Sequence, residues 1–365
     1  MCEQKQPIIY KIDFIIIFVL SYLILNVVLN SFWYFLLIVT TIAISIFFHV
    51  KWWKLLIYVV ISFIPLGIYY LIGNFNLFSH LRFYLDSLLH FSLRNTVLSF
   101  VNHSYDQLTS GVIKLLIFNV KSSSTSWIYQ SIINLSIVHL FIISGFHLSL
   151  IRLMFLKLFK QWKIIGEITS LVLILFFTYF LNFSIPTMRV IISIIIGYIL
   201  KRYKVSTINI VAIGGLITLL IAPISYRLLG FLLSYACTIG IIYIYQFEFK
   251  YWLVKQLMVN FFAIIISLPI VLMMNQQISL FALINSFIFS YFILLLFFVL
   301  MFSFWMTFIS VFVKYEVIFL INVIKAFGLL NILIKLNWFN DWMVNVYYSG
   351  LLLIVFTIKK YINYE

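Results

Sequence analysis

From residue 12 almost to its end the chain passes through one apolar run after another, broken only by short polar stretches. No domain with a water-facing surface can bury that much apolar side chain, so the solvent must be a lipid bilayer. Of the 365 residues, 65% are hydrophobic and 9% charged, which leaves no room for a soluble catalytic domain. A bilayer core needs roughly 20 mainly apolar residues per helical crossing, and the runs give about 11 to 13 spans. The expected fold class is therefore an all-α polytopic integral membrane protein with about 11–13 transmembrane helices. The first run follows Lys5 and Lys11 as a signal sequence would, but no small-residue cleavage site follows it and a second run comes directly after, so it reads as a retained span. The many Phe, Ile, Tyr and Asn residues match the bias of an AT-rich genome and are not by themselves evidence of a binding surface. Cys2 and Cys237 lie far apart, which supports neither a disulfide framework nor a cysteine metal site.

The net charge of +15 suits nucleic-acid binding, but basic residues also mark cytoplasmic loops. Lys51 and Lys54, then Arg152, Lys157, Lys160 and Lys163, then Lys201, Arg202 and Lys204, then Lys250 and Lys255 alternate with turns nearly free of charge at 30, 182–184 and 275–279. One orientation satisfies this pattern. The amino terminus is cytoplasmic and residues 74 to about 128 are external.

Four segments follow: N-terminal spans at 1–73, an external interfacial segment at 74–128, a core at 129–313 and C-terminal spans at 314–365. In the external segment Ser79, Arg82, Asp86, His90 and Arg94 form a polar stripe opposite Leu81, Tyr84, Leu85, Leu88 and Phe91. This is the pattern of an amphipathic helix lying flat on lipid, either as a plain linker or as the lip of a pore. The apolar run from 279 to Val313 is too long for one crossing and reads as a helical hairpin or as a span with a re-entrant piece.

A polar group at bilayer depth is costly, so each one must face protein or a watery cavity. The candidates are His139, Ser144, Gly145, His147, Arg189, Arg227, Gln276, Gln277, Asn285 and Lys325. On an unbroken helix Ser144 and His147 share a face, and His139 stands about 80° from His147. A serine nucleophile with a histidine base is one reading of this spacing, yet no acid to orient the imidazole and no oxyanion site can be identified. A metal would need further ligands, and His49, His80, His90 and His103 lie in interfacial or external segments. No catalytic residue, metal or cofactor is therefore assigned. In "NFSIPTMRV" Pro186 suits a first helical turn, with Arg189 one turn deeper on the same face. Only nine acidic residues exist in the chain, so carbonyls, water or an anionic substrate are better partners for Arg189 than a carboxylate.

The stretch "HLFIISGFHL", with His139, Ile143, Ser144, Gly145 and His147, resembles the H-x-x-x-I-S-G-x-H span of the ComEC competence family. The likeness continues in order from about 110 to 310. "SIPTMRVIIS" is similar to the family's P-x-x-R-A element through Pro186 and Arg189, with Val190 in place of alanine. "GFLLS" resembles G-F-Q-L-S, keeping Gly230 and Ser234 but with Leu232 in place of the glutamine. "SLPIVLMMNQQISLFALIN" resembles the following element through Pro269, Gln277, Ser279 and Asn285.

The resemblance implies an inner-membrane channel for uptake of single-stranded DNA in natural transformation, not an enzyme, with these residues along the DNA path. The external domain and the metallo-β-lactamase-like domain common in that family have no counterpart in the chain, so the resemblance is to the channel core alone. A separate DNA-binding receptor, nuclease and cytosolic motor are the expected partners, beside single-stranded DNA and membrane lipids. No G-x-x-x-x-G-K-[ST] stretch is present to power transport. Two other readings stay open: a membrane hydrolase using Ser144 and His147, and a non-conducting scaffold.

Overall fold

The computed structural model describes residues 13–29, 51–73, 75–141, 145–200, 205–245 and 249–337, with isolated positions between and beyond them. The chain is an all-α polytopic membrane protein, as its apolar runs require. Among the described residues five helical stretches are long and apolar enough to cross a bilayer: Trp52–Ile72, Lys163–Phe180, Trp252–Met273, Ala282–Ser303 and Thr307–Leu330. Five shorter apolar helices accompany them, fewer in all than the 11 to 13 crossings counted from hydropathy. The apolar runs at 31–50 and 351–362 lie outside the described residues.

Two compact units make up the chain, and neither is continuous in sequence. The first comprises Met1–Phe78, Arg189–Ile242 and Asp341–Glu365, and the second comprises Ser79–Met188 and Tyr243–Asn340. Boundaries between them fall inside the helices Leu77–Leu89, Ile185–Ile199 and Leu229–Ile244.

In the first unit the helix Phe14–Leu29 packs against Trp52–Ser62 and Thr207–Ile221. Gly215 makes the second contact possible, because a Cβ there would stand 2.3 Å from the Phe18 ring. That small residue lets Phe18 lie beside Phe231 and Tyr235, with ring centroids 6.1 and 5.3 Å away. Ser62 joins the same helices with a polar stitch, donating to the Ile17 carbonyl at 3.1 Å. Trp52, Leu56, Val60 and Leu71 are exposed along Trp52–Ile72, as lipid-facing residues should be.

The second unit is built around the helix Gln107–Phe118, whose twelve residues are buried except at Gln107, Leu108 and Lys114. At 1.5 Å per residue it is about 18 Å long and cannot cross a core of about 30 Å. Asp106 caps its start by accepting from the Thr109 N–H and hydroxyl, and Asn119 ends it in a left-handed conformation at φ 52°. Gly111 lets the turn Ser123–Thr125 fold onto it, since a Cβ there would stand 2.7 Å from Thr125 Cγ2. The stretch 74–128 is thus not a surface layer throughout: its last third forms the centre of a unit.

The run from 279 to Val313 is resolved as one helix, Ala282–Ser303, then a turn through Phe304–Ile309 and a second helix, Ser310–Leu330. This is a hairpin of two full-length helices, the second reaching well past Val313. The turns at 182–184 and 275–279 belong to opposite ends of Ala282–Ser303. Phe180 meets Phe118 edge-on and Phe118 meets Phe304 in the same way, whereas Ser279 immediately precedes the helix start. Twenty-two residues set those ends about 33 Å apart, so a crossing by this helix cannot leave both turns on one side. The charge pattern missed this because both turns are free of charge.

A small two-stranded sheet accompanies the helices. Gln277–Ser279 pairs antiparallel with Leu333–Lys335, with Ile278 opposite Ile334. It closes the ends of the two helices that flank it.

Candidate functional site

The chain entering the histidine motif is bent at a defined point. The helix Ser126–Asn134 stops, Ser136 takes a left-handed φ of 60°, and the short helix Val138–Phe141 begins. A non-glycine residue in that region costs free energy and persists only where neighbours hold it. Here the neighbours are amides and hydroxyls. The Ser279 N–H donates to Ser136 Oγ at 2.9 Å, and Asn285 Nδ2 donates to the Leu135 carbonyl and to Ser279 Oγ, each at 3.2 Å. Asn331 Nδ2 donates to the Asn134 carbonyl at 2.9 Å, and its Oδ1 accepts from Ser279 Oγ. Asn275 Nδ2 donates to Asn134 Oδ1 at 3.0 Å, and Gln130 Nε2 donates to Asn275 Oδ1 at 3.1 Å. Ser136, Ser279 and Asn285 are buried, so these bonds form where water cannot replace them.

Of the expected site residues, Ser279 and Asn285 belong to this clasp. Gln277 sits in the strand opposite Lys335, half-buried, and Gln276 ends the preceding helix at φ 49°. The amides that hold the bend are therefore Asn134, Asn275, Asn285 and Asn331 rather than the adjacent glutamines. Asn134, Asn331 and Ser136 were not singled out from sequence. Their signal is faint: each is a polar residue at a helix end, in a chain where Asn is common.

His147 lies buried on the helix Gly145–Leu158 with its ring 4.9 Å from Phe297, tilted by 57°. Gly145 opens that helix. Ser144 and the His139 side chain lie outside the described residues, so the face expected for Ser144 and His147 has no structural account. No group of three or more His, Cys, Asp or Glu residues is placed to hold a metal among the described residues.

In the first unit Arg189 is buried one turn into its helix, after Pro186 near the helix start. Its Nε donates to Ser234 Oγ at 2.8 Å. Ser234 stands one turn after Gly230, near the start of Leu229–Ile244. Among the described residues no carboxylate pairs with Arg189. Among the described residues the bond given for this buried guanidinium goes to a neutral hydroxyl, which compensates a buried charge only in part.

The arginines of the polar stripe do something else. The helix Leu77–Leu89 ends before His90, which is exposed at φ 58°, and Arg94 lies on the next helix, Leu93–Ser104, so the stripe is split between two helices. Arg82 bonds Asp86 at 3.3 Å, Asn182 at 3.3 Å and Asn95 at 3.2 Å, and Arg94 Nε donates to the Phe180 carbonyl at 2.7 Å. Both arginines are committed to holding the turn after Phe180. Burial alone would raise the Asp86 pKa, but hydrogen bonds from Tyr179 and Ser92 and the Arg82 charge outweigh it and hold the carboxyl below its usual range.

The Arg189–Ser234 bond joins two sequence elements 45 residues apart, and the clasp joins three more. The competence protein family matches residues 116–361, more than half of the chain and all of these elements. The chain belongs to the competence protein family.

Curated relatives agree in extent but carry no named activity. Uncharacterized protein MG316 of Mycoplasma genitalium is 27% identical over 188 residues, covering 51% of this chain and 50% of that protein. Its Mycoplasma pneumoniae homologue is 29% identical over 189 residues, with coverage of 51% and 50%. The chain spans about half the length of the curated relatives it matches. No solved structure matches it.

Proposed function

We propose that this competence-family protein is the membrane-embedded core of a conduit that admits single-stranded DNA across the plasma membrane of a bacterium, with its amino terminus in the cytoplasm. The observation that carries the reading is Arg189, a buried cation held by Ser234 and without a carboxylate partner among the described residues. A translocating single strand carries one negative charge per nucleotide, and its path needs isolated cationic or hydrogen-bonding points rather than an apolar tube. Gly230 and Pro186 support the pair by position: each opens the helix that carries one partner. His147 and the helix it stands on supply a second polar point.

On this reading the protein breaks no bonds. Capture of DNA, degradation of the opposite strand and the driving force come from a separate receptor, nuclease and motor.

The test is entry of fluorescent single-stranded DNA into liposomes that hold the purified protein, with duplex DNA as the control. Entry of single strands alone supports the conduit. Exclusion of both, with a membrane potential imposed and candidate partner proteins supplied, contradicts it.

A further inference from the structure

The helices Gly145–Leu158 and Lys163–Phe180 are joined by a tight turn, and the second of them is a membrane-length span that begins there. The Trp162 N–H donates to the Phe159 carbonyl at 2.9 Å, and Gly166 lets the turn close, since a Cβ there would stand 3.1 Å from Phe159 Cβ. Phe155 and Phe159 stack at its base, with ring centroids 6.4 Å apart. The turn is packed into one shape at the end of a span.

Its outward side chains are of two kinds. Trp162 is 62% exposed, with Leu158 and Ile164 exposed beside it, and Lys157, Lys160 and Lys163 are exposed among them. Other lysines of the chain are engaged: Lys54, Lys121, Lys250, Lys255 and Lys325 each stand over an aromatic ring, and Lys114 donates to Asn102. Among the described residues the side chains of Lys157, Lys160 and Lys163 have no ring, carboxylate or amide partner, and Trp162 meets no other ring. The acid nearest in sequence, Glu167, is taken by Arg152 at 2.9 Å, and no other Asp or Glu occurs between Asp106 and Glu248. Three positive charges on this turn are left for something outside the protein.

We propose that the turn 157–164 docks anionic phospholipid headgroups of the surrounding leaflet. Trp162, Leu158 and Ile164 seat at the boundary between headgroups and acyl chains, where an indole is favoured, and the lysines extend from that level to meet the phosphates. A soluble acidic protein would suit the lysines but leave the three apolar side chains in water. A single-stranded nucleic acid would stack on Trp162 but has no use for Leu158 and Ile164. The site requires only that the chain spans a bilayer, not that it conducts DNA.

The experiment is photo-crosslinking of the full chain in liposomes of equal phosphatidylglycerol and phosphatidylcholine, one of the two carrying a photoreactive headgroup, with adducts mapped by peptide mass spectrometry. Adducts on 157–164 should be about fivefold or more in favour of phosphatidylglycerol. The triple variant Lys157→Gln, Lys160→Gln, Lys163→Gln should lose that excess, whereas Lys335→Gln, at an exposed lysine on the small sheet, should keep it within about twofold. Equal adducts from the two lipids, or an excess that survives the triple replacement, overturns the proposal. Loss of the phosphatidylglycerol adducts on adding oligothymidylate, with phosphatidylcholine adducts unchanged, overturns it in favour of a nucleic-acid contact.

Discussion

The clasp at Leu135–Ser136 and the Arg189–Ser234 pair are both buried polar sites in a greasy protein, yet they are built in opposite ways. In the clasp the amides divide their donors and acceptors among backbone and side-chain partners, and Asn285 and Asn331 each make two bonds. Arg189 is a charge with one neutral bond among the described residues. A network of neutral amides that bond one another fixes a shape, whereas on the proposed reading the cation is kept for an anionic ligand. On that reading the contrast separates architecture from function among residues that look alike in sequence.

The largest effect should come from the clasp. Asn331→Leu or Asn285→Leu strands buried acceptors, and thermal unfolding in detergent should show a loss of about 2–3 kcal/mol. A loss under about 0.5 kcal/mol would mean that apolar packing, not the clasp, holds the bend. Next is Gly215→Ala, which forces a methyl into the Phe18 ring and should cost about 1–3 kcal/mol. That would show that the unit around Arg189 draws its stability from ring packing rather than from the guanidinium. Thr218→Val, which removes a 2.8 Å bond with the Tyr235 hydroxyl, should cost about 1 kcal/mol in the same assay. A smaller effect is expected at Asp86. Its folded pKa lies below the usual carboxylate range, so its contribution is complete above that range and fades as pH falls through the folded value. Asp86→Asn should flatten the acid limb of the stability curve, and an unchanged limb would remove Asp86 from the hold on the 180–183 turn.

Much of the fold was legible because bilayer thickness dictates helix length, and an apolar run announces itself without reference to partners. Pro186 and Arg189 were legible for a related reason: helix position and burial cost are local properties. The clasp was not. Ser279 and Asn285 stood out as polar residues in a span, but their partners lie up to 150 residues away and include backbone carbonyls, which sequence does not display. The polar stripe at 79–94 misled in the other direction. Its period is helical, but His90 turns left-handed and splits it, and Arg82 and Arg94 bond the 180–183 turn. Charge alternation likewise gave a single-sided answer for two uncharged turns that one helix holds apart.

The most direct measurement pairs stability with passage in Arg189→Met. The account predicts unfolding within about 1 kcal/mol of wild type, or slightly more stable, because a buried charge with little compensation is replaced by an apolar side chain of similar reach. It also predicts that single-stranded DNA no longer enters liposomes. Passage retained by a folded Arg189→Met protein, or destabilisation as large as that of Asn331→Leu, would contradict it and make Arg189 one more structural residue.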